Sequence, residues 1–196
     1  QYLFRQVYPL QGGETILYHA AAGGVGLIAC QWARAMGVNM IGTVSTDEKA
    51  ELARANGCAH TIVTSRENIV ERVKEITAGK GVPVVYDSVG KDTLMDSLDC
   101  LQPRGSLVSN GTSSGSVVVD SSLLAAKGSI WMTRPAMMHY IQPRSHMLEM
   151  AAELFEHVLA GRIVSEPQQE FALAEAAQAH RALEARKTVG ATVLVP

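Results

Sequence analysis

The segment AAAGGVG, at positions 20–26, constrains the fold more than any other part of the chain, because two kinds of periodicity meet in it. Before it, residues 15–20 form a short apolar run of strand length. After it, Val25, Ile28, Ala29, Trp32, Ala33 and Met36 recur at i, i+3, i+4, i+7, i+8 and i+11, one continuous apolar stripe along a helix that Gly37 stops. A dinucleotide fold needs a tight turn at such a junction, a residue without a side chain where the backbone approaches a pyrophosphate, and a small residue where helix meets strand. Ala21 takes the first of these positions, Gly23 the second and Gly26 the third. The helix N-terminus then offers the amides of Gly24 and Val25 to a diphosphate. The competing reading is a glycine-rich turn that serves packing alone.

The rest of the chain repeats the alternation. Apolar, β-prone runs lie at 39–44, 61–63, 82–86, 106–109 and 129–133, with helical patterns between them, among them 68–77, 92–101 and 145–160. Strand and helix in turn predict a doubly wound parallel sheet of the Rossmann type. Thr46 reads as a helix N-cap, with Asp47 and Glu48 in the first turn, where acidic side chains meet the positive helix end. Tyr18 and Tyr86 fall in strands and read as core; Asp87 either touches a ribose or closes a turn. The polar loop 111–115 directly follows a strand, at the end of an open sheet where ligands bind. Beyond Gly161 a stretch rich in Glu and Gln, a helix over 174–186 and a strand over 191–195 cannot bury both of their faces alone, and so need a partner. The first ten residues, QYLFRQVYPL, read as the tail of a helix.

The choice of nucleotide turns on the end of the second strand. An acid about 20 residues beyond the turn binds the ribose 2′-hydroxyl of NAD. Here that position is Ser45, a neutral residue that leaves room for a 2′-phosphate, with Lys49 one helical turn further on to neutralise it. The alternative ribose ligand is Asp47, and the alternative for Lys49 is a solvated helix surface.

Composition excludes other classes. Lys and Arg number 17 against 19 Asp and Glu, without the basic stripe that gathers nucleic acid or anionic lipid. With 47% hydrophobic and 18% charged residues, the 196-residue chain can bury a sizeable core. No apolar run approaches the ~20 residues that span a bilayer, and the start shows no signal-peptide pattern, so a soluble, cytoplasmic protein is expected. Cys30, Cys58 and Cys100 stand far apart, and the six histidines form no i, i+4 pair, so neither a disulfide framework nor a metal site is expected. No nucleophile–base constellation is suggested by spacing, and no catalytic residue is assigned.

Several blocks together carry a family resemblance: YHAAAGGVGLIACQWARAMG, IGTVST with Lys49, VVYDSVGKDT, SLDCLQPRGSLVSNGTSSG, TRP, and the closing AHRALEARKTVGATVLVP. With them the chain resembles the NADPH-dependent quinone oxidoreductases, the zinc-independent, zeta-crystallin-like branch of the medium-chain dehydrogenase/reductase superfamily. The resemblance implies a Rossmann cofactor domain over 1–164. It also implies a tail, 165–196, whose helix and strand belong to a missing GroES-like catalytic domain. It implies NADPH as cofactor, with Gly23, Gly24 and Val25 at the pyrophosphate, Ser45 and Lys49 at the 2′-phosphate, and Arg186 toward the adenosine phosphate. Ser88, Val89, Gly111 and Ser113 would lie near the nicotinamide and its ribose. Thr64 stands where members often place a Tyr, with Arg66 nearby as an electrostatic substitute. The implied reaction is hydride transfer to a quinone or another α,β-unsaturated carbonyl, in a homodimer formed near the TRP block. An enoyl reductase module of a synthase and a non-catalytic dinucleotide sensor are the alternatives.

Overall fold

Residues 1–185 and 187–196 are described by the computed structural model of the chain. Six strands, β1 (Thr15–Tyr18), β2 (Asn39–Val44), β3 (His60–Val63), β4 (Val82–Asp87), β5 (Leu101–Ser109) and β6 (Trp131–Thr133), form one sheet in the order β3-β2-β1-β4-β5-β6. Every pairing in it is parallel. Crossovers are made by α1 (Gly24–Ala35), α2 (Asp47–Ala55), α3 (Ile69–Ile76), α4 (Leu94–Cys100) and α5 (Ser121–Ala126), followed by α6 (Met137–Tyr140) and α7 (Arg144–Leu159).

Side chains alternate across a strand, so a sheet covered on both faces must be apolar at every position. Ile16, Tyr18, Met40, Val84, Tyr86 and Val108 point into one core, with Trp32 and Ala33 of α1 and Ala50 and Ala53 of α2. Leu17, Ile41, Val85 and Leu107 point into the other, with Ile69 and Val73 of α3 and Leu98 of α4. Tyr18 and Tyr86 are core, as their sequence position implied. Their rings lie 5.7 Å apart, and Phe4 packs edge-on against both. Tyr86 also donates its hydroxyl to Leu3 O at 3.2 Å, so a short helix at Leu3–Val7 is pinned over the middle of the sheet.

The helix boundaries follow from local chemistry. Thr46 caps α2 by accepting from the Lys49 N–H at 3.3 Å, and Asn68 caps α3 by accepting from the Glu71 N–H at 3.0 Å. Gly37 leaves α1 at a φ of 70°, the left-handed region that glycine tolerates.

The tail departs from the sequence expectation in one respect. Besides α8 (Ala176–Glu184) and β8 (Ala191–Val195) it contains a strand, β7 (Pro167–Ala172), and β7 pairs with β8 in a separate two-stranded parallel sheet. The segment PQQEFA shows no apolar alternation, so this strand carries no periodic signal. The tail does not join the main sheet, yet it bonds to the turn after β1: the Gly190 N–H donates to Ala22 O at 2.9 Å, and Gly23 and Gly190 form an isolated parallel bridge. Leu173, Leu183, Val193 and Val195 are exposed.

Candidate cofactor site

Parallel strands all end on the same edge of the sheet, and here the registers Tyr18↔Gly42, Val44↔Val63 and Asp87↔Ser109 bring the loops after β1 to β5 to that edge. The strand order reverses between β1 and β4, so the turns leaving these neighbours diverge and open a crevice. The residues expected to hold a dinucleotide divide between its two sides.

On the β1 side, the chain leaves Tyr18, passes through Ala20 at a φ of 57°, and enters α1 at Gly24 with Gly23 as N-cap residue. Glycine is required here by close approach. A Cβ on Gly26 would lie 2.5 Å from both Ala20 O and Ala21 O, and one on Gly23 would lie 3.3 Å from Ala20 O. The first amides of α1 have no acceptor within their own helix, and the helix dipole makes that end positive. Val25, an apolar residue 65% exposed at this end, leaves the approach uncluttered by charge.

Ser45 follows β2 directly and is exposed, and Lys49 lies half-buried in α2. The neighbouring acid, Asp47, is engaged: its Oδ1 accepts from Arg66 Nη2 at 2.7 Å, and this bond holds the Asp47 carboxyl below its ordinary range. Thr64, just beyond β3, donates its hydroxyl to Val44 O at 3.1 Å, which ties the end of β3 to that of β2. Arg186 lies outside the described residues.

On the β4 side, two loops interlock. A Cβ on Gly111 would lie 2.2 Å from Ser88 O, so the chain after β5 runs directly over the chain after β4. The Ser114 N–H and hydroxyl both donate to Val89 O at 2.9 Å, and the Ser113 N–H approaches Ser88 O at 3.5 Å. Thus Ser88, Val89, Gly111 and Ser113, far apart in sequence, form one surface. Asp87 closes the turn: its Oδ1 accepts from the Val89 and Gly90 amides, both at 2.9 Å, and Oδ2 accepts from Ser97 Oγ at 2.7 Å. Its two oxygens also receive the Thr93 hydroxyl, at 2.9 and 2.8 Å. At 2% exposure it is a turn-closing residue, one of the two roles its position allowed.

Sequence reasoning missed the link between the sides. His19 is fully buried; its Nδ1 lies 3.0 Å from Thr43 Oγ1 and its Nε2 3.0 Å from Ser97 Oγ. The signal was present only as a histidine placed at the very end of a strand, immediately before the glycine turn.

A dinucleotide fits what is present. The turn 23–26 packs so closely on the Ala20 and Ala21 backbone that Gly26 has no room for a Cβ, and across the crevice, at the end of β5, Ser109 Oγ and Asn110 Oδ1 are buried without a hydrogen-bond partner. A profile of the family described as "Zinc-binding dehydrogenase" matches residues 24–157, more than half of the chain.

The chain belongs to the zinc-binding dehydrogenase family. Among its relatives, a quinone oxidoreductase of Pseudomonas aeruginosa is 58% identical over 100% of the chain and 61% of its own length. A 2-haloacrylate reductase from a Burkholderia species is 50% identical over 100% of the chain and 60% of its own length. The crystal structure of an Escherichia coli quinone oxidoreductase complexed with NADPH superposes with a TM-score of 0.97 at 49% identity, over 100% of the chain and 61% of that protein. The chain therefore spans about three fifths of the length of the curated relatives it matches. The zinc in the family's description finds no counterpart: among the described residues no three His, Cys, Asp or Glu side chains converge as a metal ion requires. Nor is any helix among them long and apolar enough to cross a membrane.

Proposed function

We propose that this chain binds NADPH and presents its nicotinamide for hydride transfer to a quinone or another α,β-unsaturated carbonyl. The observation that carries the reading is the side-chain-free turn at Gly23 and Gly26, set at the head of α1 and facing the crevice beside β4. The backbone of Gly23 and the amides of Gly24 and Val25 hold the diphosphate. Ser45 and Lys49 receive the 2′-phosphate, with Thr64 and Arg186 toward the same end. Ser88, Val89, Gly111 and Ser113 orient the nicotinamide and its ribose. The chemistry bound NADPH supplies is a hydride from C4 of that ring.

No residue of this chain is assigned as an acid or base, so its contribution is positioning. Groups that face the acceptor come from a second, GroES-like catalytic domain to which the tail 165–196 belongs, while 1–164 forms the cofactor domain. The relatives named above support an activated C=C or quinone acceptor, since one reduces quinones and another 2-haloacrylate by name. They favour it over an enoyl thioester or a role without turnover. A homodimer joined along β6, the edge strand on which Trp131 is 72% exposed, completes the reading, together with a cytoplasmic location and small-molecule partners.

The test is a fluorescence titration of the chain with NADPH, followed by the rate of NADPH consumption with 1,4-benzoquinone. Saturable binding with slow quinone reduction is expected; failure to bind NADPH contradicts the reading.

A further inference from the structure

The hydrogen bonds around His19 have a direction that can be deduced. Asp87 accepts at every contact, from two backbone amides and two hydroxyls, so the Ser97 hydroxyl proton points to Asp87 Oδ2. Ser97 Oγ is then left to accept, and its partner at 3.0 Å, His19 Nε2, carries the proton. A neutral imidazole protonated on Nε2 accepts on Nδ1, so the Thr43 hydroxyl donates there, at 3.0 Å. Thr43 Oγ1 keeps a lone pair for the Ala20 N–H, 3.3 Å away.

The result is one polarised chain: Ala20 N–H to Thr43, Thr43 to His19, His19 to Ser97, Ser97 to Asp87. Its first member is the residue held at a φ of 57° that opens the phosphate turn. Its last closes the turn carrying Val89 and Gly90. Thr43, His19, Ser97 and Asp87 are all buried. Backbone contacts run in parallel, since the His19 N–H donates to Tyr86 O at 3.0 Å and Ser88 Oγ to His19 O at 3.4 Å.

We propose that His19 is a positioning residue for the nicotinamide end of the cofactor site, which through Ser97 and Asp87 fixes the 88–90 turn relative to the phosphate turn. The proposal rests on the cofactor reading above. The His19 side chain touches neither end of the site directly; it sets the separation of two surfaces that one dinucleotide must span, and a buried network with every member satisfied is stiff. Removing a link lets the 88–90 turn relax while the turn 20–26 keeps its own glycine packing.

Two ligands separate this role from general stability: NADPH, which spans both surfaces, and 2′,5′-ADP, which has the adenosine end alone. Calorimetric titrations are compared for the unaltered chain, Ser97→Ala and His19→Leu. Both substitutions are expected to raise the NADPH dissociation constant about fivefold or more and to leave that of 2′,5′-ADP unchanged. Parallel losses for both ligands, or no loss for either, overturn the proposal. Where His19→Leu fails to fold, judged by circular dichroism, the smaller Ser97→Ala change decides; loss of fold in both also overturns it, because the network would then hold the domain rather than the turn. An unaltered chain that binds neither ligand contradicts the cofactor reading itself.

Discussion

Arg66 Nη2 lies 2.7 Å from Asp47 Oδ1, and this ion pair joins the end of β3 to the start of α2 beside Ser45. A free carboxylate in that place would repel a 2′-phosphate and accept from a 2′-hydroxyl, which favours NADH. With Arg66 against it, Asp47 would face a bound cofactor as half of a neutral pair.

Replacing Arg66 with Ala is therefore expected to shift cofactor preference toward NADH. Both side chains are exposed and screened, so the change in the NADPH-to-NADH affinity ratio should be modest, roughly two- to fivefold. Salt should diminish it. Titrations of Arg66→Ala with both cofactors at low and high ionic strength check this.

Gly26→Ala tests the packing of the phosphate turn. Its new methyl would lie 2.5 Å from two backbone oxygens, and backbone cannot step aside as a flexible side chain can. A loss of about 1–3 kcal/mol is expected from such overpacking, together with weaker NADPH binding. Urea unfolding gives the first quantity and calorimetry the second.

Stability should depend on pH through His19. Burial holds this imidazole below its ordinary pKa of 6.5, with Asp87 and Asp96 opposing the shift. The unfolded chain thus binds a proton between 6.5 and the lower folded value that the native state refuses. No penalty arises above 6.5; it grows as pH falls below 6.5 toward the folded value. His157 is shifted in the same direction by burial and Arg162, so the comparison must be made between variants. His19→Gln should lower the urea midpoint at pH 7.5 yet lose less of it on acidification to pH 5.5. An equal loss in both proteins would assign the slope elsewhere.

The direction of the buried hydrogen-bond chain has a spectroscopic signature. Nitrogen-15 shifts of His19 should show a neutral ring protonated on Nε2. Asp87→Asn places a donor where an acceptor stood, which lets Ser97 accept from it and donate to His19, and the ring should then carry its proton on Nδ1.

How far all this was legible depends on the distance over which each interaction acts. The junction at 20–26, the N-caps Thr46 and Asn68, and the stop at Gly37 are local, and the sequence displays them as changes of period or as cap residues. The sequence displays β5 only from Ser106, because Pro103 and Arg104, the latter at a φ of 64°, interrupt its first half. β7 was not readable at all, since Gln168, Gln169 and Glu170 owe their strand to pairing with β8. The candidate site residues around Gly111 were placed by resemblance, and only the structure displays their interlock with Ser88. His19 bonds to residues 24 and 78 positions away, and no window along the chain brings those three together.

Whether the crevice binds NADPH through a neutral Ser45 and the cation at Lys49 is decided by calorimetric titration with NADPH and NADH, repeated for Lys49→Ala. NADPH is expected to bind at least about tenfold tighter, a difference of ~1.4 kcal/mol, and the substitution to erase the difference. Equal affinity for the two cofactors in the unaltered chain would contradict it and make Asp47 the ribose ligand.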